Sequence, residues 1–447
     1  MNKIILRREQ FLQSFKNFFR RVFFDGGTLE APVYVNNLLK SIQNASILQI
    51  PVTFGLGKLY NQIGEDFDVI RGSNVWRTNE HGYYEEVKDN RPCIDYSDGF
   101  PVLLTQPQST NFIKNSSTLS LQSVNNAGVM TDNAAISPEG IQNAAIYETD
   151  GLSSSYVRSI ISFTSTSATQ LVTYSYHVKY IDNQWLRLRT LGISGQSIQV
   201  WFDILNGVIG TDTSTIPVTP KIKALKNGWF RISVTAELDL SVDNTDLFQI
   251  SIVNEDGLNA QTAGKNIALY VPQAEELGYA STPIKTGANV VTRLADEITG
   301  AGSTSTINSE EGVLYVERKN MQNINGNYIT LNDGSVNNRI TYYISDTAII
   351  VQIWIAGVNQ GTALYNTDIS EFTKACVVYD STSYRLFINE SPTPVATKPL
   401  NTTIPPNTLD RLDLGTGGSN TKGADRIKEL RVYKSIAEAQ IDLPYIS

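Results

Sequence analysis

A chain of 447 residues is too long for one ordinary hydrophobic core and points to two or three domains. With 21 Tyr and 31 Gly against only 3 Met, the composition favours strands and turns over helices, because aromatic and β-branched side chains fit a half-buried pleated surface. A net charge of -8 argues against general nucleic-acid binding, which needs cations to displace phosphate counterions, and no apolar run reaches the roughly 20 residues of a membrane span.

In residues 1–24, Phe11, Leu12, Phe15, Phe18, Phe19, Val22 and Phe23 recur every three or four positions, with Lys16, Arg20 and Arg21 between them. This spacing predicts an amphipathic helix with an aromatic stripe of Phe11, Phe15, Phe18, Phe19 and Phe23. Three uses of the stripe stay open: packing on the protein's own first domain, docking into a partner protein, or lying on a membrane surface. Docking is the reading carried forward, so residues 1–48 are assigned as a helical anchor. Asp25-Gly26-Gly27 ends the first helix, and a second is predicted around Val35, Leu38, Leu39 and Ile42.

Residues 49–111 have the texture of short strands and turns. Residues 112–298 are assigned to a first sandwich, and between about 150 and 285 the alternation is clean: Tyr174, Tyr176, Val178 and Tyr180 share a face, as do Ile198, Val200, Phe202 and Ile204, then Ile232, Val234, Ala236, Leu238 and Leu240, then Phe248, Ile250 and Ile252. Period-two patterning with Asn206-Gly207 and Asn227-Gly228 turns predicts an antiparallel β-sandwich. Residues 299–308 read as a flexible linker. A second all-β domain is expected over 309–447, with Ile349, Val351, Ile353 and Ile355 on one buried face and a short helical tail around Ala437 to Ala439. The fold class is therefore all-β, with tandem sandwiches behind a helical N-terminus.

Cys93 and Cys376 fall in different predicted domains and read as buried free thiols, as suits assembly in a reducing cytoplasm. A secreted disulfide scaffold would carry more cysteines at closer spacing.

Ordered motifs then point to a family. Ile50-Pro51, Gly57-Lys58-Leu59-Tyr60, Asp66-Phe67-Asp68-Val69 with Arg71, and Arg77-Thr78-Asn79 lead to Asn90-Arg91-Pro92-Cys93-Ile94-Asp95-Tyr96 and to Leu103-Leu104-x-Gln106-Pro107-Gln108-x-Thr110-Asn111. Gly228-Trp229-Phe230-Arg231, Glu275 to Ile284 and Val291-Thr292-Arg293-Leu294-Ala295-Asp296 follow. Over roughly residues 50–440 the chain resembles bacteriophage and prophage virion proteins, head fibres and tail fibres among them, including those in phages of Bacteroides-like hosts. Their C-terminal domains are concanavalin- or laminin-G-like jelly rolls. Cys93 stands where that family usually has Arg and Gln106 where it usually has Glu, and such a pair would be structural.

Candidate chemistry is sparse. His177 is expected on a solvated polar face, and His81 in a turn. The carboxylate pairs Glu85/Glu86, Glu275/Glu276 and Glu310/Glu311 are adjacent residues, which on a strand point to opposite faces and cannot converge on one bond. Asn332-Asp333-Gly334-Ser335 reads as a turn in preference to a calcium loop. No catalytic residue, cofactor or metal site is expected, and the chain is not read as an enzyme. Of the glycan-stacking candidates Trp76, Trp185, Trp201 and Trp354, the pair Trp201 and Trp354 alternates against the buried sets of its strands, which leaves two readings open: exposed faces that stack sugars, or, the favoured one, filling of subunit interfaces or of the opposite sheet.

The expectation is a structural appendage subunit on a virion surface, built as a dimer or trimer of itself and joined to capsid or tail proteins through its N-terminus. Many weak sites would bind host-surface glycans together. Neither nucleic acid nor membrane insertion enters this reading. The alternatives are a free prophage-encoded carbohydrate-binding module and a polysaccharide depolymerase.

Overall fold

The computed structural model describes residues 48–50, 67–321, 327–345, 347–368, 370–416 and 425–446. The aromatic stripe from Phe11 to Phe23 lies outside them. What is described is all-β: two β-sandwiches of the jelly-roll class and one short α-helix.

The first sandwich has two six-stranded sheets. One runs, in hydrogen-bonded order, Val218–Ala224, Trp229–Leu238, Gln170–Tyr180, Asn266–Glu275, Gln142–Glu148 and Val129–Ile136. The other runs Val208–Asp212, Gln199–Asp203, Trp185–Thr190, Thr245–Val253, Val157–Ser162 and Ser123–Val124. Between them lies one core, to which Tyr174, Tyr176, Val200, Phe202, Ile232, Val234, Phe248 and Ile250 contribute as the alternation requires. Asn227 and Gly228 take positive φ of 59° and 73°, so the expected Asn-Gly turn joins Val218–Ala224 to Trp229–Leu238.

The second sandwich faces a five-stranded sheet against a larger one. The five are Val358–Asn366, Ala348–Ile355, Arg339–Ile344, Asn327–Asn332 and Arg411–Asp413. The larger sheet runs Ala396–Pro399, Ser383–Ile388, Thr373–Tyr379, Gly312–Asn320, Asp425–Tyr433, Val102–Thr105 and Ile94–Asp95, with Leu48–Ile50 pairing the far end of Asp425–Tyr433. The Ile436–Asp442 helix closes the chain, its N-cap Ser435 side chain accepting from Glu438 N.

The described residues 67–111 do not pack as a separate unit. Ile94–Asp95 and Val102–Thr105 are strands of the C-terminal sandwich, and Ile94 and Leu103 sit in its core. Asp68–Ile70 pairs with Glu297–Thr299, and Ser109–Asn111 pairs with Val291–Arg293. The Val75–Thr78 and Tyr84–Val87 hairpin lies against the back of the first sandwich.

The expected flexible linker at 299–308 is corrected. Ala301 bridges Leu412, and Ala301 and Ile307 are buried in the C-terminal core, so a stretch that is polar in composition is tied down by its two apolar residues. The free thiols of Cys93 and Cys376 are both buried, as expected.

Candidate functional site

The outer face of the five-stranded sheet sets half-buried Tyr328, Tyr343, Gln352 and Trp354 beside buried Thr330, Asn332, Thr341 and Ile350. Ile340, Tyr342, Ile344, Ile349, Val351, Ile353 and Ile355 point into the core, so Arg339, Thr341, Tyr343, Ile350, Gln352 and Trp354 fall on the opposite side. Strand register arranges that side in three rows. Tyr328, Tyr343, Ile350 and Leu364 form one. Thr330, Thr341, Gln352 and Thr362 form the next, and Asn332, Arg339, Trp354 and Asn359 the third.

Large side chains thus flank a row of small polar ones. The rings of Tyr328 and Tyr343, both half-buried, have centroids 4.9 Å apart at 33°. Across the middle row the Arg339 guanidinium lies 4.8 Å from the centroid of the Trp354 ring, a cation–π contact. Gln352 ties the rows together: its Nε2 donates to Thr362 Oγ1 at 3.1 Å, and its Oε1 lies 3.4 Å from Trp354 Nε1. The hydroxyls of Thr330 and Thr341 and the Nε of Arg339 are buried without a hydrogen-bond partner among the described residues. Native structures rarely leave such groups unmade. The half-buried aromatic faces, with Gln352 and Thr362 beside them, can hold a hydroxyl-bearing ring through its C–H face and its edge.

Trp354 is therefore half-buried on an outer face, as the stacking reading needs. Trp201 is not. It does lie opposite the core residues Val200 and Phe202, but it is only 1% exposed and its Nε1 donates to Leu258 O at 2.8 Å. The connection between Thr245–Val253 and Asn266–Glu275 folds over it, which alternation within one strand cannot reveal. Trp76 is half-buried, with the Lys285 ammonium 3.9 Å over its ring. The tyrosine pair and Arg339 escaped notice because a mixed row of Tyr, Thr and Arg looks like any solvated strand face.

His177, expected to be solvated, is fully buried. Its Nδ1 lies 3.1 Å from Tyr270 O and its Nε2 lies 3.2 Å from the Tyr84 hydroxyl, so Nδ1 carries the proton and Nε2 accepts. Burial first, and then the charge of Arg231, hold its pKa far below the usual histidine range. Here too the face was legible but the hairpin that covers it was not. His81 does lie exposed in a turn, in which Asn79 Oδ1 accepts from His81 N and Tyr83 N.

The carboxylate pairs do not converge. Glu275 is buried and accepts from Ser109 Oγ at 2.6 Å and Ser281 N at 3.0 Å, while Glu276 accepts from Thr164 N and Ser165 N. Asp333 accepts from Ser335 N and Asn338 Nδ2, and Gly334 has φ of +82°, so this is a turn. Among the described residues no cluster of His, Cys, Asp and Glu could hold a metal ion.

Arg71, Gln106, Asn111, Arg293 and Asp296 meet in a buried polar joint between the sandwiches. Arg71 pairs with Asp296, whose other oxygen accepts from Gln106 N at 2.8 Å. Gln106 Oε1 accepts from Arg293 at 2.7 Å and from Thr282 N at 3.0 Å. Asn111 Nδ2 donates to Pro272 O and Ile284 O. Gln106 thus finds its cation in Arg293, far along the chain.

No protein-family model matches the sequence, and no curated protein matches it. Solved structures do. The sialyllactose-bound CBM40 module of the Ruminococcus gnavus IT-sialidase is 15% identical, covering 30% of this chain and 82% of its own, with a TM-score of 0.25. Domain 4 of AbnA, an extracellular GH43 arabinanase of Geobacillus stearothermophilus, solved with arabinotriose, is 15% identical over 35% of this chain and 76% of its own, TM-score 0.25. Domains LG4-5 of the mouse laminin α1 chain are 10% identical over 64% of this chain and 88% of their own, TM-score 0.22. The solved structures that this chain resembles are carbohydrate-binding and laminin-G-like β-sandwich domains.

Proposed function

We propose that the chain is a non-catalytic glycan-binding subunit that works as a surface appendage of a phage particle. The observation that carries the binding reading is the outer face of the five-stranded sheet, where Tyr328, Tyr343 and Trp354 flank buried hydroxyls without partners. A sugar ring stacked on an aromatic side chain, with its hydroxyls turned to Gln352 and Thr362, uses the accessible groups of this face. Single-site affinity of this kind is weak, and repeated copies on one particle multiply it.

The place of work rests on the motifs between Ile50 and Asp296 that resemble phage virion proteins. Residues of those motifs build the joint between the sandwiches, which suits a stiff body that holds a binding face away from a particle. The Phe11 to Phe23 stripe serves as the anchor in this reading, and the subunit is a dimer or trimer.

Titration of the purified chain with a panel of oligosaccharides tests the binding reading. Trp354→Ala and Tyr343→Ala should each weaken binding at least about tenfold, a loss of roughly 1.4 kcal/mol, with an unchanged β-sheet circular dichroism spectrum. Binding that survives both substitutions would remove this face as the site. Complementation of a deletion phage with a gene lacking codons 1–24 tests the appendage. The truncated chain should stay soluble and be missing from purified particles, and its incorporation at wild-type level would place the anchor elsewhere.

A further inference from the structure

A second site lies where the two sandwiches meet. A cavity of about 250 Å³ opens between the Val218–Ala224 and Trp229–Leu238 strands of the first sandwich and the Gly312–Asn320 and Asp425–Tyr433 strands of the second. Five cations line it, Lys221, Lys223, Arg231, Lys319 and Arg426, against the two carboxylates of Asp95 and Asp98. In a chain of net charge -8 this is a local excess of three positive charges. A cleft of one sign within low-dielectric walls focuses its field on ligands of the other.

The charges are not equivalent. Arg426 Nε donates to Asp98 at 2.6 Å, its Nη2 donates to Asp95, and Lys319 pairs with Asp98 at 3.0 Å, so these four groups satisfy one another. Lys221 and Lys223 form no salt bridge among the described residues, and both reach the cleft from the edge strand of the first sandwich. Both lysine side chains are solvent-exposed at the mouth of the cleft. Arg231 donates to Ser281 O and Ser175 Oγ, but its Nε has no partner among the described residues. The Tyr279 side chain, 5% exposed, lines the same space, and its hydroxyl is also unpartnered there.

Size and chemistry narrow the occupant. The cavity falls just short of the roughly 300–1,000 Å³ of drug-sized ligand sites, so it has room for one sugar ring. Ser233, Thr235 and Thr282 supply hydroxyls, and Leu225, Pro283 and Met321 supply apolar surface. Asp95 and Asp98 are held by Arg426 and Lys319, which leaves Lys221 and Lys223 as the charges that meet an anion. We propose that this cleft binds a single carboxylate-bearing sugar residue, with Lys221 and Lys223 on the carboxylate and the Ser233 and Thr235 hydroxyls on the ring oxygens. The site is separate from the outer sheet face and does not depend on it.

Calorimetric titration of the full chain with D-glucuronate, D-glucose and inorganic phosphate tests the proposal. Glucuronate should bind with a dissociation constant of about 1 mM or tighter, with glucose and phosphate each at least about tenfold weaker. A Lys221→Gln/Lys223→Gln variant should lose glucuronate binding at least about tenfold, Lys223→Arg should retain it, and added salt should weaken it. Trp354→Ala should leave it unchanged, so failure of the outer-face reading and failure of this one are told apart. No heat with glucuronate up to about 10 mM, equal affinity for glucose, or phosphate binding as tight as glucuronate would each overturn the proposal.

Discussion

Arg71 and Asp296, 225 residues apart in sequence, form a buried ion pair with Nη1 and Oδ1 2.7 Å apart. The same guanidinium donates to Ser73 O and Lys88 O, and the same carboxylate receives Gln106 N. With all three guanidinium nitrogens and both carboxylate oxygens engaged, the pair locks the segment before the first sandwich to the segment after it. Arg71→Met alone should destabilise the protein by roughly 3–5 kcal/mol, because it leaves the carboxylate buried and uncompensated. Arg71→Met with Asp296→Leu should recover much of that loss in urea unfolding. A double variant no better than the single would show that hydrogen bonds to the backbone, not the charge pair, hold the joint.

His177 gives the stability a pH dependence with a definite sign. Its folded pKa is depressed, so below the ordinary histidine value of about 6.5 the unfolded chain takes up a proton that the native state does not. Its contribution to stability is therefore full above that value and falls with decreasing pH, by up to roughly 1.4 kcal/mol per pH unit. The lowered carboxylates Asp95 and Asp98 act in the same direction but only nearer the ordinary Asp range. Urea midpoints measured between about pH 5 and 7.5 should slope for the wild type and flatten for His177→Gln. Equal slopes would mean that the imidazole is protonated in the native state.

These residues show how far the sequence is legible. Period-two alternation places the cores of both sandwiches correctly, because one strand carries that information within itself. It also places His177, Trp201 and Trp354 on the faces away from the cores. Which of those faces is open depends on contacts from distant chain. Tyr84 reaches His177 across 93 residues, and Leu258 reaches Trp201 across 57. Nothing covers Trp354 as fully, so it alone keeps the exposure that alternation allows. The linker misreading has the same origin, since Ser, Thr and Gly dominate 299–308 while only Ala301 and Ile307 decide its burial.

Both thiols should be inert in the folded protein. Cys93 and Cys376 are each 1% exposed, and burial first, with Asp95 adding to it, pushes the Cys93 thiol up to about 12. A thiol-specific chromogenic reagent at about pH 8 should therefore find no reactive cysteine in native protein and both in urea. Rapid modification of either before unfolding would mean that its strand opens locally.

The unity of the C-terminal sandwich can be tested by dissection. Its core takes Phe67, Ile94, Leu103, Ile298 and Ile307 from outside residues 309–447. Burying a large apolar side chain is worth roughly 1.5–3 kcal/mol, so these five contribute on the order of 10 kcal/mol, comparable with the whole stability of a domain. Without Val102–Thr105 and Leu48–Ile50, the Asp425–Tyr433 strand also becomes a bare edge carrying unpaired backbone groups. The first sandwich is different, for its core residues all lie between Phe112 and Ala274. Residues 112–290 expressed alone should thus unfold cooperatively in urea, while 309–447 alone should aggregate or lack a cooperative transition. A soluble 309–447 fragment that unfolds as sharply as the full chain would show that the borrowed strands are dispensable.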